Sequence, residues 1–506
     1  MRRRAISVLA LAAAVSPLAA VAQDKPAPIS ESEVREHIAV LASDNFEGRA
    51  PGTSGETKTL DYLAKTWASY GLVSGTNDAG TPWFQPVPLV ERKPYAHSFS
   101  AMRGTRAIRI DSDAVILASR DTQGRASGEP LFVGFGVGAD GKLNADVAGR
   151  IVIMLSAEPK FEGTAKLPGR REREKLMAEA GAAAVLLTAP DGMSWGSART
   201  ALGSGSMRRA SDDAAPPISG LLRADAVKAL LKPAGLSPTA AMRMAGDPGF
   251  KPVSLPVTLD LAATTSVRAF ESHNVIAKLP GKTPGSGAVL LLGHWDHFGI
   301  CRSEEAEDRI CNGAVDNASG MAVLLTIAER LARSAEAGAP LDRDVYFMGT
   351  TAEERGLLGA YHFADNPVVP LDQILIALNI DTVAIAPRGA PVAIVGRGET
   401  GLDEIVDRIA IAGGRTVETG TEANAFIRRQ DGWALAAKGV KSIMAGGSFA
   451  DMKLLQAFLT TVYHQPDDEL TDATPLGGAA DDANLHVDLV RHFADEAKYT
   501  PAATGD

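Results

Sequence analysis

Cysteine is almost absent from this 506-residue chain: Cys301 and Cys311 are all it has, which excludes a fold stapled by several disulfides. The two could close one small loop, stay as free thiols, or act as thiolate metal ligands. Aromatic residues make up 5%, and neither the 50 glycines nor the 29 prolines reach the proportion of a disordered or collagen-like chain. Basic residues do not predominate, with 51 Lys and Arg against 61 Asp and Glu, which argues against nucleic acid and anionic lipid as partners. After the first residues no apolar run is long enough to span a bilayer, and there is no short-period repeat or low-complexity tract. The glycine-rich turn 48–55 lacks the Gly-Lys-Ser/Thr ending of a phosphate loop. Gly203-Ser204-Gly205 lacks the setting of a nucleophile elbow.

The chain does begin with Arg2, Arg3 and Arg4, a short apolar run from Ala5 to Val15, and the small-x-small pattern Ala20-Val21-Ala22. These predict an export signal over residues 1–22. Its removal takes away three positive charges and moves the formal charge from −10 to −13. No cysteine follows the cleavage point to carry a lipid. The mature protein is therefore expected in the periplasm or outside the cell, free of the membrane, where an oxidising milieu favours a Cys301–Cys311 disulfide. The body, 45% hydrophobic and 22% charged, has the profile of a globular protein.

Ser30 or Ser32 can cap a helix with Val34, Ile38 and Leu41 on one face, and a second helix repeats Leu60, Leu63, Trp67 and Tyr70 before Gly71 stops it. Between 128 and 252 short apolar strands bounded by glycine take over, at 131–137, 150–155 and 183–187, with helices near 171–180 and 224–231. This stretch carries no cluster of His, Cys or acids and reads as an inserted non-catalytic domain. Further on, strands at 289–292, 345–348 and 374–380 alternate with helices such as 320–331, the pattern of an α/β sheet covered on both faces.

Ligands of open α/β sheets gather at the carboxyl ends of strands. Here strand 289–292 runs into His294, Asp296 and His297, strand 345–348 into Glu353 and Glu354, and strand 374–380 into Asp381. The loop 313–320 adds Asp316 just ahead of a helix. Imidazole nitrogen and carboxylate oxygen suit zinc, and two zinc ions can share one carboxylate. The set His294, Asp316, Glu354, Asp381 and His464 gives each ion one His and one acid with a single acid between them. Glu353 is left over beside a ligand, free to act as a general base.

In this the chain resembles the two-zinc exopeptidases of metallopeptidase clan MH, which include bacterial leucyl-type aminopeptidases and glutamate carboxypeptidases. Their ordered pattern appears as His294-Trp295-Asp296, Asp316-Asn317-Ala318-Ser319-Gly320, Glu353-Glu354, Asn379-Ile380-Asp381 and Tyr463-His464. The resemblance implies a three-layer α/β/α peptidase domain with a mixed, mostly parallel sheet, made of residues 23–127 and 253–506, and a β-rich α+β protease-associated domain inserted at 128–252. It implies that His294 and Asp381 hold one zinc, Glu354 and His464 the other, and Asp316 both. Asp296 would hydrogen-bond His294, Glu353 would take a proton from a hydroxide-forming water bridging the two zincs, and Tyr463 would donate to the oxyanion. The implied activity is removal of amino-terminal residues from peptides with a free N-terminus; the sequence carries no signal for oligomeric state.

Other residues receive lesser roles. His297 is expected at the rim or behind the ligands, and His37, His97, His273, His362, His486 and His492 are expected to be structural. Asp467, Asp468 and Glu469 read as a solvated or capping turn. Gln430-Asp431-Gly432 departs from the family's Ser-Asp-His, which puts a substrate contact there in doubt. Glu304, Glu305, Glu307 and Asp308 suggest an acidic loop at the pocket rim that favours a substrate amine. A carboxypeptidase or dipeptidase on the same fold would need a cation, which Arg428 or Arg429 could supply. An inactive binding homologue predicts gaps in the ligand set, and the sequence has none.

Overall fold

Val289, Leu290, Leu291 and Leu292 form a run without a polar face, and a strand of this kind needs an apolar layer on both sides. All four are fully buried in the computed structural model of the protein, which describes residues 27–500 apart from 77–78, 81, 160, 162–166, 191, 193, 204 and 213. The export signal expected over 1–22 lies outside the described residues. Val289 and Leu291 face one core together with Phe347, Ile376 and the helices Glu31–Leu41, Ser54–Ser69, Ser319–Glu336 and Leu476–Phe493. Leu290 and Leu292 face a second core with Met348, Ala377, Phe363 and Leu435, the last two from helices Leu358–Asp365 and Gly432–Ala436. The alternation of period two thus sorts one strand's side chains between two helical layers.

The sheet runs in the order Ala393–Val395, Ser442–Gly446, Ile374–Asn379, Ala288–His294, Asp344–Thr350, Thr258–Leu279, Phe84–Arg103. Its four consecutive strands from Ser442–Gly446 to Asp344–Thr350 are parallel, and its flanks are antiparallel, so the sheet is mixed. The two longest strands, Phe84–Arg103 and Thr258–Leu279, pair with each other from Phe84–Val275 to Met102–Thr258. Between them the chain builds a second sheet, in the order Val253–Ser254, Pro130–Phe132, Ile151–Met154, Ala184–Thr188, Ile218–Leu222, Val115–Ser119. Val115–Ser119 and Val253–Ser254 lie outside the expected insert 128–252, so this sheet recruits strands from both sides of that interval. One face has a core of its own, and the other packs into a core shared with Ala101, Leu259, Leu261 and Ala263 of the two longest strands. No helix among the described residues is long and apolar enough to cross a membrane.

Candidate metal centre

Parallel strands finish at one edge, and that edge collects the ionisable groups. Ala288–His294 ends on His294 itself, Asp344–Thr350 leads into Glu353 and Glu354, and Ile374–Asn379 leads into Asp381. Asp316 lies just before helix Ser319–Glu336, and Tyr463 and His464 follow helix Met452–Thr461. His294 Nε2 stands 3.2 Å from Asp316 Oδ1 and 3.5 Å from Asp381 Oδ1. His464 Nε2 stands 3.3 Å from Asp316 Oδ2 and 3.1 Å from Glu354 Oε2. The five residues singled out as ligands therefore converge, with Asp316 turning one oxygen to each histidine.

The convergence has the form of a cation site. Ligand atoms roughly 2.0 Å from a tetrahedral centre lie about 3.3 Å from one another, close to the four separations found. The buried atoms His294 Nε2, His464 Nε2 and Asp316 Oδ2 make no hydrogen bond of proper geometry, so they face a common space rather than each other. Two sets share Asp316: His294 with Asp381, and Glu354 with His297. His297, expected at the rim or behind the ligands, is buried. Its Nδ1 lies 2.6 Å from Glu354 Oε1, the oxygen His464 does not approach, and that is too short for two ligands of one ion. His297 thus lies beside Glu354, and neither His297 Nδ1 nor Glu354 Oε1 makes a hydrogen bond of proper geometry.

The surrounding groups fix the donors. His294 Nδ1 donates to the main-chain oxygen of Asp296 at 3.0 Å, which leaves the Nε2 lone pair for the shared space. The hydrogen bond to His294 that the resemblance implies for Asp296 thus comes from its main chain; the carboxylate Oδ1 is 3.9 Å from Nδ1 and accepts the Glu353 N–H at 3.0 Å. Asn317 binds the strand ends to the helix. Its Nδ2 donates to Ile380 O at 3.1 Å, and its Oδ1 accepts from the N–H groups of Gly320 at 2.9 Å and Thr382 at 3.2 Å. The approach demands glycine: a Cβ at Gly293 or Gly320 would sit 2.5 Å from Ile380 O. Ala352, Thr382 and His464 have φ of 53°, 55° and 60°. Left-handed backbone at non-glycine residues costs roughly 1–2 kcal/mol each, and here it turns three loops inward.

The electrostatics point the same way. Burial pushes the Glu353 carboxyl well above its usual range, helped by Glu354, Asp431 and Asp381 and opposed by His294. Burial likewise pushes Asp296 up to about 7 and Asp431 up to about 6. Asp316 moves the other way: burial would raise it, but His294 and His464 hold it well below the carboxylate range. Carboxylates gathered in a space that penalises their charge are the environment a divalent cation relieves.

Several supporting residues were not visible in sequence. Arg49, taken as part of a turn, is fully buried. It donates to the carbonyls of Trp295 (2.8 Å), Leu41 (2.7 Å), Asn312 (2.6 Å) and Gly313 (3.0 Å). Burial lowers its pKa to about 10, so it stays charged. Asp468 is a correction: it is buried rather than solvated, and its carboxylate accepts from the N–H groups of Val315 at 2.9 Å and Asp316 at 3.0 Å. Asp431 is buried as well and accepts from the Thr350 hydroxyl. Tyr463 stacks on His464 with ring centres 3.6 Å apart. Arg428 and Arg429 lie over Trp433 and Phe426. Cys301 and Cys311 form a disulfide that closes the hairpin Gly299–Ile300 with Ile310–Cys311.

Comparison with known proteins agrees with the geometry. Residues 274–483 match the sequence model of Peptidase family M28. Over 119 residues the chain is 27% identical to the alkaline phosphatase isozyme conversion protein of Escherichia coli (strain K12), covering 22% of this chain and 32%, about a third, of that protein. It is similar in structure to an aminopeptidase from Aneurinibacillus sp. strain AM-1, with a TM-score of 0.57 at 18% identity over 94% of this chain and 97% of that one. It is also similar to BSAP, a zinc aminopeptidase from Bacillus subtilis, with a TM-score of 0.50 at 17% identity over 94% and 97%. At these identities the two likenesses establish a shared fold.

Proposed function

We propose, from the match of residues 274–483 to the model of Peptidase family M28, that the protein is a member of that family and an exported two-zinc aminopeptidase that releases amino-terminal residues from peptides. The observation that carries the reading is Asp316, whose two oxygens stand 3.2 and 3.3 Å from His294 and His464. His294 and Asp381 would hold one ion, His464 and Glu354 the other, and Asp316 both. When bound, the ions supply Lewis-acid polarisation of the scissile carbonyl and lower the pKa of water. The residues do the rest. Glu353 accepts the proton of the attacking water and returns it to the leaving amine. Asp296 holds the Glu353 loop through its carboxylate and the His294 tautomer through its main-chain oxygen. The Tyr463 hydroxyl would steady the negative oxygen of the tetrahedral stage.

We assign 128–252 to a protease-associated domain inside a peptidase domain formed by 23–127 and 253–506; a second sheet supports this, though its outer strands Val115–Ser119 and Val253–Ser254 lie beyond those bounds. Export is supported by the arginines and apolar run of residues 1–22 and by a disulfide that suits an oxidising compartment.

The test is a panel of peptides with free and blocked amines, with and without chelator, beside Glu353→Ala. The expected outcome is chelator-sensitive release from free amines only, with the variant slowed about 10²- to 10⁴-fold at unchanged metal content. Release from blocked peptides, or full activity of Glu353→Ala, overturns the reading.

A further inference from the structure

We infer that the preferred substrates are short peptides whose free carboxylate lies one or two residues beyond the cleaved bond, and that Arg355 binds this carboxylate. The inference rests on the aminopeptidase reading and adds a substrate class to it. Arg355 directly follows Glu354 and is half-buried. Its guanidinium carbon lies 5.1 Å from the centre of the Phe298 ring, and that ring lies 4.5 Å from the ring of His464. One aromatic side chain therefore holds the cation against the metal centre. Stacking occupies only the face of a guanidinium and leaves its N–H donors, in the plane, free for a carboxylate. Among the described residues no acid pairs with Arg355, although the chain has 61 acidic side chains to 51 basic ones.

A second cation approaches the same loop from the other sheet. Arg171, in helix Arg170–Glu179, comes so near Gly356 that a Cβ there would lie 3.0 Å from its Nη1. Arg208 adds a like charge close enough to be felt by Arg171. Arg170 is a further like charge on Arg171 and Glu174 an opposite one, so basic groups outnumber acids on this side of the loop and favour an anion there. Chain length then selects the anion. An extended peptide advances about 3.3–3.6 Å per residue, so a terminal carboxylate one or two residues past the cleaved bond comes within the span that Phe298 bridges, and that of a long peptide does not. Arg428 and Arg429, the cations expected for such a role, are engaged on Trp433 and Phe426.

The test measures kcat and KM for Leu-Gly, Leu-Gly amide and Leu-Glu amide with the wild-type protein, Arg355→Met and Arg355→Lys. Wild type should show a KM for Leu-Gly amide about ten- to a hundredfold above that for Leu-Gly. That ratio should fall to near one in Arg355→Met and stay intermediate in Arg355→Lys; being a ratio within one preparation, it is insensitive to loss of folded protein. Equal KM values in wild type, or a gap that survives Arg355→Met, overturn the inference while leaving an aminopeptidase. Leu-Glu amide binding as well as Leu-Gly would show that a side-chain carboxylate is read and would overturn the chain-end assignment. Chelator-indifferent protein that cleaves none of the three would instead overturn the underlying reading.

Discussion

At the scale of single residues, the centre is held by side chains that never face it. Arg49 spends its guanidinium on four carbonyls from three segments, among them the residues just after His294 and just before Asp316. Arg49→Met leaves those acceptors unpaired in the interior, and a loss of about 3–5 kcal/mol is expected, read as a lower urea midpoint. His297 acts closer in. His297→Phe removes the group beside Glu354 Oε1, and the second ion should be held about 10- to 100-fold more weakly in competition with a chelator, with the fold intact. The five residues proposed as ligands could be singled out in sequence because ionisable groups follow the ends of successive strands, and the structure brings the five together. Arg49, Asp468 and Asp431 could not, because a lone charge in a loop reads as solvated until its main-chain partners are known.

At the scale of elements, two features can be tested independently. The first is the start of helix Ser319–Glu336, pressed so tightly on Asn317 and Ile380 that a Cβ on Gly320 would lie 2.3 Å from Asn317 Oδ1. Gly320→Ala should push the helix from the Asp381 loop, lowering both metal content and melting temperature. Gly439→Ala, at φ 89° with nothing within 4 Å, should cost only the backbone strain of about 1 kcal/mol. The second is the strand Ala288–His294. Leu290→Ala and Leu291→Ala should each cost about 2–5 kcal/mol by chemical denaturation, because the two side chains fill different cores. An uninterrupted apolar run announced that strand. The longest strands went unread for the opposite reason: Pro86, Pro88 and Pro94 punctuate Phe84–Arg103, and the middle of Thr258–Leu279 is polar and exposed.

At the scale of the whole molecule, stability should follow proton concentration through His37. The imidazole sits between the hydroxyls of Tyr62 at 2.7 Å and Tyr70 at 3.2 Å. Burial lowers its pKa from 6.5 to about 4, with Glu33 opposing. The unfolded chain therefore takes up a proton between pH 6.5 and 4 that the native protein refuses, and native stability falls as pH drops through that window. The excess stability of wild type over His37→Gln should shrink from pH 7.5 to pH 5 by on the order of 1 kcal/mol, allowing for partial exposure of the ring. Metal removal acts on the same scale. Chelation should lower the melting temperature, since an ion at a thousand times its Kd contributes about 4 kcal/mol to the native state.

The pairing of Met102 with Thr258 carries one more consequence. The 155 residues between them, 103–257, start and finish on adjacent strands, and within them Arg106–Ala107, Gln123–Gly128 and Ser206–Arg209 also pair with those two strands. Recombination at those neighbouring points would exchange the interval together with these pairings, while the parallel strands that carry His294, Glu354 and Asp381 pair with none of its strands. Such a lineage could change what governs access to its chemistry while inheriting the chemistry unaltered.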